Sequence, residues 1–400
     1  VALAVIACLS CGRPDVSNWL VPTAPQRDGE TIAAAALSPW AAQIVDTTGP
    51  GAIYALFVPT NWDESGRKLT VFVHGLVYPD SEIGLPNLAR LLDSLGAKGF
   101  AVAYSSFSEN GWAVQDAAQR SHQLQGLFAS RFGTPARTFI YGRSLGGLVG
   151  VMLAEKFPGQ YTGTFAECGL VSGSPRAFSY LFDVRRLFDF FYPGVLPGNA
   201  IGVPADWEPS PSDASRVQSA MVADMSGAFA IAKIDQTPVP FTTAAELRAA
   251  LLDLLTVHAF EVNDIMLRSH GAPPVSSSTF TSTNTNPALR LDEGLLQSIN
   301  ANALHFESAP NGAKFAEHYY DPSGDLRIPV MTLTTTRDPR LPAVMNDLVY
   351  QERVDAAGKS DFLSRRQIAR FGHCNFTLNE RLNSFLDFVR WAESKGVSAP

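Results

Sequence analysis

Residues 138–147 read TFIYGRSLGG. Thr138 to Tyr141 is a short β-branched and aromatic run, Gly142, Gly146 and Gly147 surround Ser144, and an apolar helical pattern follows over 145–157 until Pro158 stops it. A strand, a serine with small residues two positions before and two after, and a helix together describe a tight strand-to-helix turn. Such a turn brings neighbouring backbone close to an exposed hydroxyl and aims the free amides of the helix at it. The pentapeptide G-x-S-x-G is common, and a glycine-rich strand exit would also explain it; the strand before and the helix after favour the turn.

Working outward, the same alternation recurs. Residues 53–59 (IYALFVP) and 69–74 (LTVFVH) are strand runs, the second so apolar that both faces are expected to be buried. A helical pattern at 85–98, an apolar run at 100–104, a helix at 112–132 and a strand within 161–171 follow. Strands alternating with helices predict an α/β protein with a doubly wound, mostly parallel sheet. After Val171 the cadence breaks: helices are expected near 212–234 and over 243–268, the second opened by a capping box, Thr243 to Glu246, and 273–287 (PPVSSSTFTSTNTNP) reads as a surface loop. A strand at 328–334, a helix at 341–357, a mixed strand at 362–371 and a helix at 377–394 resume the pattern. The expected division is a lead-in at 1–39, a core at 40–173, a helical cap at 174–325 inserted before the next core strand, and a second core part at 326–400.

Composition bounds the function. The chain has 400 residues, 31 basic against 38 acidic, a net charge of -7, 46% apolar residues and 17% charged ones. It is too apolar for a disordered chain and too acidic to have nucleic acid as its main partner. No H-E-x-x-H or Cys/His cluster offers a metal site, no G-x-G-x-x-G opens the first strand-helix unit and no P-loop lysine is present, so neither metal nor cofactor is expected. Four cysteines, Cys8, Cys11, Cys168 and Cys374, are too few for a disulfide framework. Residues 1–9 (VALAVIACL) read as a truncated export signal or a lipoprotein signal with Cys8 or Cys11 as the lipidated residue; a short core segment is the alternative. No stretch is apolar for long enough to span a bilayer. Export places the protein as secreted, periplasmic or lipid-anchored at the cell surface; without it the protein would be cytoplasmic.

A nucleophilic serine needs a base to take its proton and an acid to orient that base. Asp338 follows the strand at 328–334, and His373 follows the next strand between Gly372 and Cys374, so both fall on the sheet edge that carries Ser144. Asp338 could instead cap the helix expected at 341, and His373 could be a surface histidine. Of the other histidines, His122, His258, His305 and His318 lie on expected helices, His270 in the insertion and His74 before the serine.

With these residues the chain resembles the α/β-hydrolase superfamily, over nearly its whole length after residue 40. The resemblance implies a nucleophile elbow at Gly142 to Gly146, an acid after the family's seventh strand at Asp338 and a histidine loop at Gly372-His373. A His-Gly pair after the third strand, here His74-Gly75, implies oxyanion donors at the backbone amides of Leu76 and Leu145, with His74 structural. Arg143, at the variable elbow position, would be either a prop paired with an acid or a reader of a substrate carboxylate. Cys168 and Cys374 could form a disulfide beside the histidine, as in some secreted esterases, or remain free thiols in a reducing compartment. By analogy of fold the activity is hydrolysis of a carboxylic ester, small or polymeric, through an acyl-enzyme. The aromatic run Phe178 to Tyr192 would give an apolar or aromatic group a pocket, or simply pack the cap. A peptidase, for which Glu167 would be either an anchor for a substrate amine or simply part of a core salt bridge, and a non-catalytic exported binding protein on the same scaffold are the alternatives. Oligomeric state has no signal in the chain.

Overall fold

The computed structural model describes residues 39–396. The export or lipid signal at 1–9, with Cys8 and Cys11, and the lead-in up to residue 38 lie outside the described residues. Among the described residues, eight strands form one sheet in the order β1-β2-β4-β3-β5-β6-β7-β8. They are β1 (Trp40–Thr48), β2 (Ala52–Pro59), β3 (Lys68–Val73), β4 (Ala101–Ser105), β5 (Arg137–Arg143), β6 (Gly163–Glu167), β7 (Val330–Arg337) and β8 (Leu363–Phe371). β1 pairs antiparallel with β2 and β2 antiparallel with β4, whereas every pairing from β4 through β8 is parallel. The central strands bury both faces because helices cover them: β3 is buried from Leu69 onward and β6 along its whole length. β1 alternates half-buried and exposed positions, as an edge strand does, and that weak apolar signal is why only the following strand is evident from sequence.

The core helices are α1 (Ala89–Ala97), α2 (Val114–Phe132), α3 (Leu145–Lys156), α10 (Asp347–Ala356) and α11 (Leu378–Ser394). α11 starts on a complete capping box between Thr377 and Glu380. α10 begins later than the pattern at 341–357 indicates, because Pro342 and a short 3₁₀ turn, Ala343–Met345, intervene.

Between β6 and β7 the chain runs through α4 (Ser174–Phe191), α5 (Pro211–Ala223), α6 (Met225–Ile231), α7 (Ala244–Arg268), α8 (Glu293–Asn302) and α9 (Pro310–His318). The single helix expected at 212–234 is two, since Asp224 adopts an extended backbone and its carboxylate accepts from the Ser226 amide to cap α6. At α7 the Thr243 hydroxyl accepts from the Glu246 amide as the pattern implies. The Glu246 carboxylate, however, accepts from the amide and hydroxyl of Thr242 and pairs with Arg337 instead of closing the box.

This helical block has its own apolar core. α4 contributes to both cores: Phe178, Leu181 and Phe182 pack with the sheet's core, and Tyr180, Val184, Leu187 and Phe188 with a second cluster that includes Met221, Leu251 and Phe280. Phe178, Phe182, Leu187 and Phe188 are fully buried, so these members of the aromatic run pack cores and line no open pocket. The segment 273–287 is not simply a surface loop, because Phe280 is buried beneath the Arg186 guanidinium, 4.5 Å from its ring centre, and Thr281 and Thr283 bind the Asp235 carboxylate. His305 lies in the connection after α8, not on a helix.

Candidate active site

Parallel pairing aligns the C-terminal ends of β3, β5, β6, β7 and β8, and the residues singled out by sequence follow directly from those ends. Val73 pairs with Gly142, and Arg143 with Glu167. Ser144 takes φ 53° and ψ -118°, a left-handed conformation that costs a side-chain-bearing residue about 1–3 kcal/mol unless its surroundings enforce it. They do enforce it: the Ser144 amide donates to Glu167 O, and Ser144 O accepts from Gly147 N and Leu170 N. A Cβ on Gly142 would stand 2.2 Å from Gly146 O, and one on Gly146 would stand 2.1 Å from Val73 O. The elbow is therefore closed to any larger residue at either position.

The hydroxyl of Ser144 lies 2.8 Å from His373 Nε2, and His373 Nδ1 lies 2.8 Å from Asp338 Oδ2. With Asp338 ionised, Nδ1 carries the proton and Nε2 is the acceptor facing the serine. Asp338 is 1% exposed, and its second oxygen accepts from the amides of Arg340 and Leu341. The capping and histidine-holding readings of Asp338 therefore coexist, one on each oxygen, although the capped element is a turn and not α10. The histidine loop is pinned where Gly372 N donates to Arg337 O and the Thr335 hydroxyl donates to Gly372 O. Cys374 is joined to Cys168 by a disulfide, with Cα atoms 5.2 Å apart.

This is an α/β-hydrolase fold. Ser144 follows the fifth strand, Asp338 the seventh and His373 the eighth, and the His74-Gly75 pair follows the third. No family model and no curated protein matches the chain. Among solved structures, the chain is similar to a lipase in its open form, with a TM-score of 0.46 and 15% identity over 88% of this chain and 99% of that one. A similar likeness links it to the Pyrococcus horikoshii acylaminoacyl peptidase, with a TM-score of 0.46 and 11% identity over 88% of this chain, which spans 41% of that protein's length. A membrane phospholipase A is similar at a TM-score of 0.42 and 14% identity, covering 88% of this chain and 86% of the other.

Within the α/β-hydrolase fold, Leu145 opens α3, so its amide belongs to the first turn of a helix whose start is Ser144. Gly75 presses on Ser144, since a Cβ there would lie 3.0 Å from Ser144 Cβ, and Leu76 follows it. His74 is buried and stacked on Phe107 at 3.8 Å, with Nδ1 2.7 Å from Gly75 O; burial pushes its pKa down, which favours a neutral ring. Arg143 Nε lies 3.3 Å from Glu167 Oε1, and its side chain is 42% exposed. Glu167 itself is fully buried, paired also with Arg381 at 2.8 Å and accepting from the Tyr141 hydroxyl. It is thus consumed by structural partners, which removes it as an anchor for a substrate amine.

Sequence reasoning passed over Asn346, whose side chain accepts from Val171 N and Ser172 N and donates to Gly169 O, tying down the segment behind the elbow. It also passed over Arg340 and its partner Asp253 on α7, two ordinary surface-type residues with no motif around them. Donor atoms of Cys168, His373 and Cys374 lie within 4.8 Å of one another, but the disulfide occupies both sulfurs. Among the described residues, no helix is long and apolar enough to cross a membrane.

Proposed function

We propose that this protein is a serine hydrolase acting on a carboxylic ester through an acyl-enzyme. The observation that carries the reading is the continuous hydrogen-bonded line from Ser144 through His373 to the buried carboxylate of Asp338. Ser144 attacks the ester carbonyl while His373 Nε2 takes the hydroxyl proton, and Asp338 stabilises the imidazolium without itself being protonated. The tetrahedral oxyanion is held by the amides of Leu76 and Leu145, each of which is worth roughly 10²–10³ in rate when such a donor is preorganised. His373 then gives its proton to the leaving alkoxide, and water, activated by the same imidazole, releases the acid.

An ester is favoured over a peptide because Glu167, the acid considered as an anchor for a substrate amine, is buried and paired with Arg143 and Arg381. Arg143 acts as a prop on this reading, its guanidinium engaged by that same carboxylate. We place an apolar or aromatic substituent beside the half-buried Leu76 of the oxyanion loop and Phe371 just before the histidine loop. The helical block at 174–325 serves as the cap, and the Cys168–Cys374 disulfide fits an oxidising compartment, hence a secreted or surface protein. A panel of chromogenic esters of increasing chain length, run beside amino-acid anilides, tests the reading. Turnover of esters with stoichiometric fluorophosphonate labelling of Ser144 supports it; failure of both returns the protein to a binding role on a hydrolase scaffold.

A further inference from the structure

The loop that carries Asp338 is gripped by the helical block as well as by the sheet. Arg337 pairs with Glu246 at the start of α7 at 3.2 Å, the Tyr180 hydroxyl of α4 donates to Pro339 O at 2.8 Å, and Arg340 meets Asp253 of α7 in a two-pronged pair. In that pair Arg340 Nε lies 2.8 Å from Asp253 Oδ2 and Nη2 lies 2.6 Å from Oδ1, and the side chains are 22% and 10% exposed. Tyr78, in the loop after Leu76, stacks on Phe260 of α7 at 4.2 Å.

The location of Arg340 poses a problem that Asp253 solves. Its backbone amide already donates to Asp338 Oδ1 at 3.0 Å, so its side chain is tethered beside the carboxylate whose other oxygen must hold His373. A guanidinium forms forked, charge-assisted bonds to a carboxylate that outcompete a single bond from a neutral imidazole. Left free, Arg340 would draw Asp338 away from His373. Asp253 takes both prongs of the fork first.

We propose that Asp253 and Arg340 are positioning residues for the Asp338–His373 pair: α7 holds the Arg340 guanidinium away from Asp338 and, through Phe260 stacked on Tyr78, also meets the oxyanion loop. On this view the helical block is part of the catalytic geometry and more than a cover. The inference rests on the serine hydrolase reading above.

The test compares wild type, Asp253→Ala, Asp253→Asn and the double variant Asp253→Ala/Arg340→Met on 4-nitrophenyl acetate, a substrate too small to need a cap contact. Circular dichroism melts identify which variants are folded. Asp253→Ala is expected to lower kcat about 10–100-fold with KM within about 3-fold, as a misoriented acid does. The double variant is expected to recover at least about 5-fold of that kcat, because the competing guanidinium is gone. Asp253→Asn keeps the shape and one acceptor, and is expected to lose about 3–10-fold in kcat; it decides the matter if Asp253→Ala does not fold. A kcat within about 2-fold of wild type in a folded Asp253 variant, a loss confined to KM, or a double variant no more active than Asp253→Ala overturns the proposal. Wild type that neither turns over the ester nor labels at Ser144 overturns the hydrolase reading, and the proposal with it. Active, labelled wild type beside unimpaired Asp253 variants overturns the proposal alone.

Discussion

Ser144 illustrates how a single residue can be chemically ordinary and conformationally committed. Its φ of 53° is maintained by backbone hydrogen bonds and by glycines against which a methyl group would collide. Because the side chain is half-buried and reaches His373 instead of packing a core, Ser144→Ala is expected to retain the wild-type melting profile while kcat falls by at least about 10³-fold. Retained turnover in purified variant would exclude Ser144 as nucleophile. Gly146→Ala should behave oppositely, losing soluble, folded protein, because its Cβ would meet Val73 O and His74 O at 2.1 and 2.5 Å with no flexible atom to yield. Asp338→Asn is expected to fold, since both amides from 340 and 341 still find an oxygen, yet to lose most turnover. An amide cannot hold imidazole in the tautomer that presents a bare Nε2 to the serine.

At the scale of elements, polar contacts at helix starts determine where helices begin. α11 is the clearest case, with both halves of the Thr377–Glu380 box made, and Glu380 additionally gripped by Arg370 of β8. Thr377→Ala is expected to destabilise by about 1 kcal/mol in denaturant titrations, with ester turnover nearly unchanged. A loss of activity out of proportion to that figure would mean that α11 positions the histidine loop more directly than its contacts indicate. α7 shows the reverse lesson. Thr243 caps it as the motif implies, but Glu246 is recruited by Arg337 of β7, a partner that is 91 residues away in sequence and adjacent only in the fold.

For the molecule as a whole, pH and redox state act through groups buried in different layers. His258, fully buried on α7 with Nε2 donating to Ala200 O, has its pKa pushed down to about 3, first by burial and then by Arg185. An unfolded chain protonates this ring near 6.5 and the folded one does not, so its stabilising contribution is complete above that pH and is lost as pH falls toward 3. Asp347, buried at the start of α10, has its pKa pushed up to about 6, chiefly by burial. Its contribution runs the other way, complete below the ordinary carboxylate range and lost as pH rises through 6. His258→Gln should therefore flatten the acid limb of a melting-temperature profile, and Asp347→Asn should raise stability above pH 6 relative to pH 4. Parallel profiles for variant and wild type would show that neither group titrates as its burial implies. The disulfide closes a sequence separation of 206 residues, for which chain entropy sets an upper stabilisation near 5 kcal/mol. Reduction is expected to lower the melting temperature and, by loosening the loop at His373, to lower kcat as well; peptide mapping without reductant is the direct check on the bridge.

What the sequence determined by itself was local in character. The strand-elbow-helix at 138–157, the apolar periods of the central strands and the acid and histidine placed just past two of those strands are all short-range patterns, and parallel pairing then brings their ends to one edge. The edge strand β1, the division of 212–234 at Asp224 and the delayed start of α10 were not legible, because each is decided by a weak signal or by competition between a helix and a nearby polar cap. Only the tertiary structure decided which partners Glu167, Arg143 and Arg340 meet and which cores the aromatics of α4 pack. Whether a charged side chain serves substrate or scaffold depends on which partners reach it in space, and burial makes an unpartnered charge too costly to leave free. For the same reason Phe178 and Phe188, indistinguishable in sequence, face different cores: ten residues of helix turn one toward the sheet and the other toward the block that lies over it.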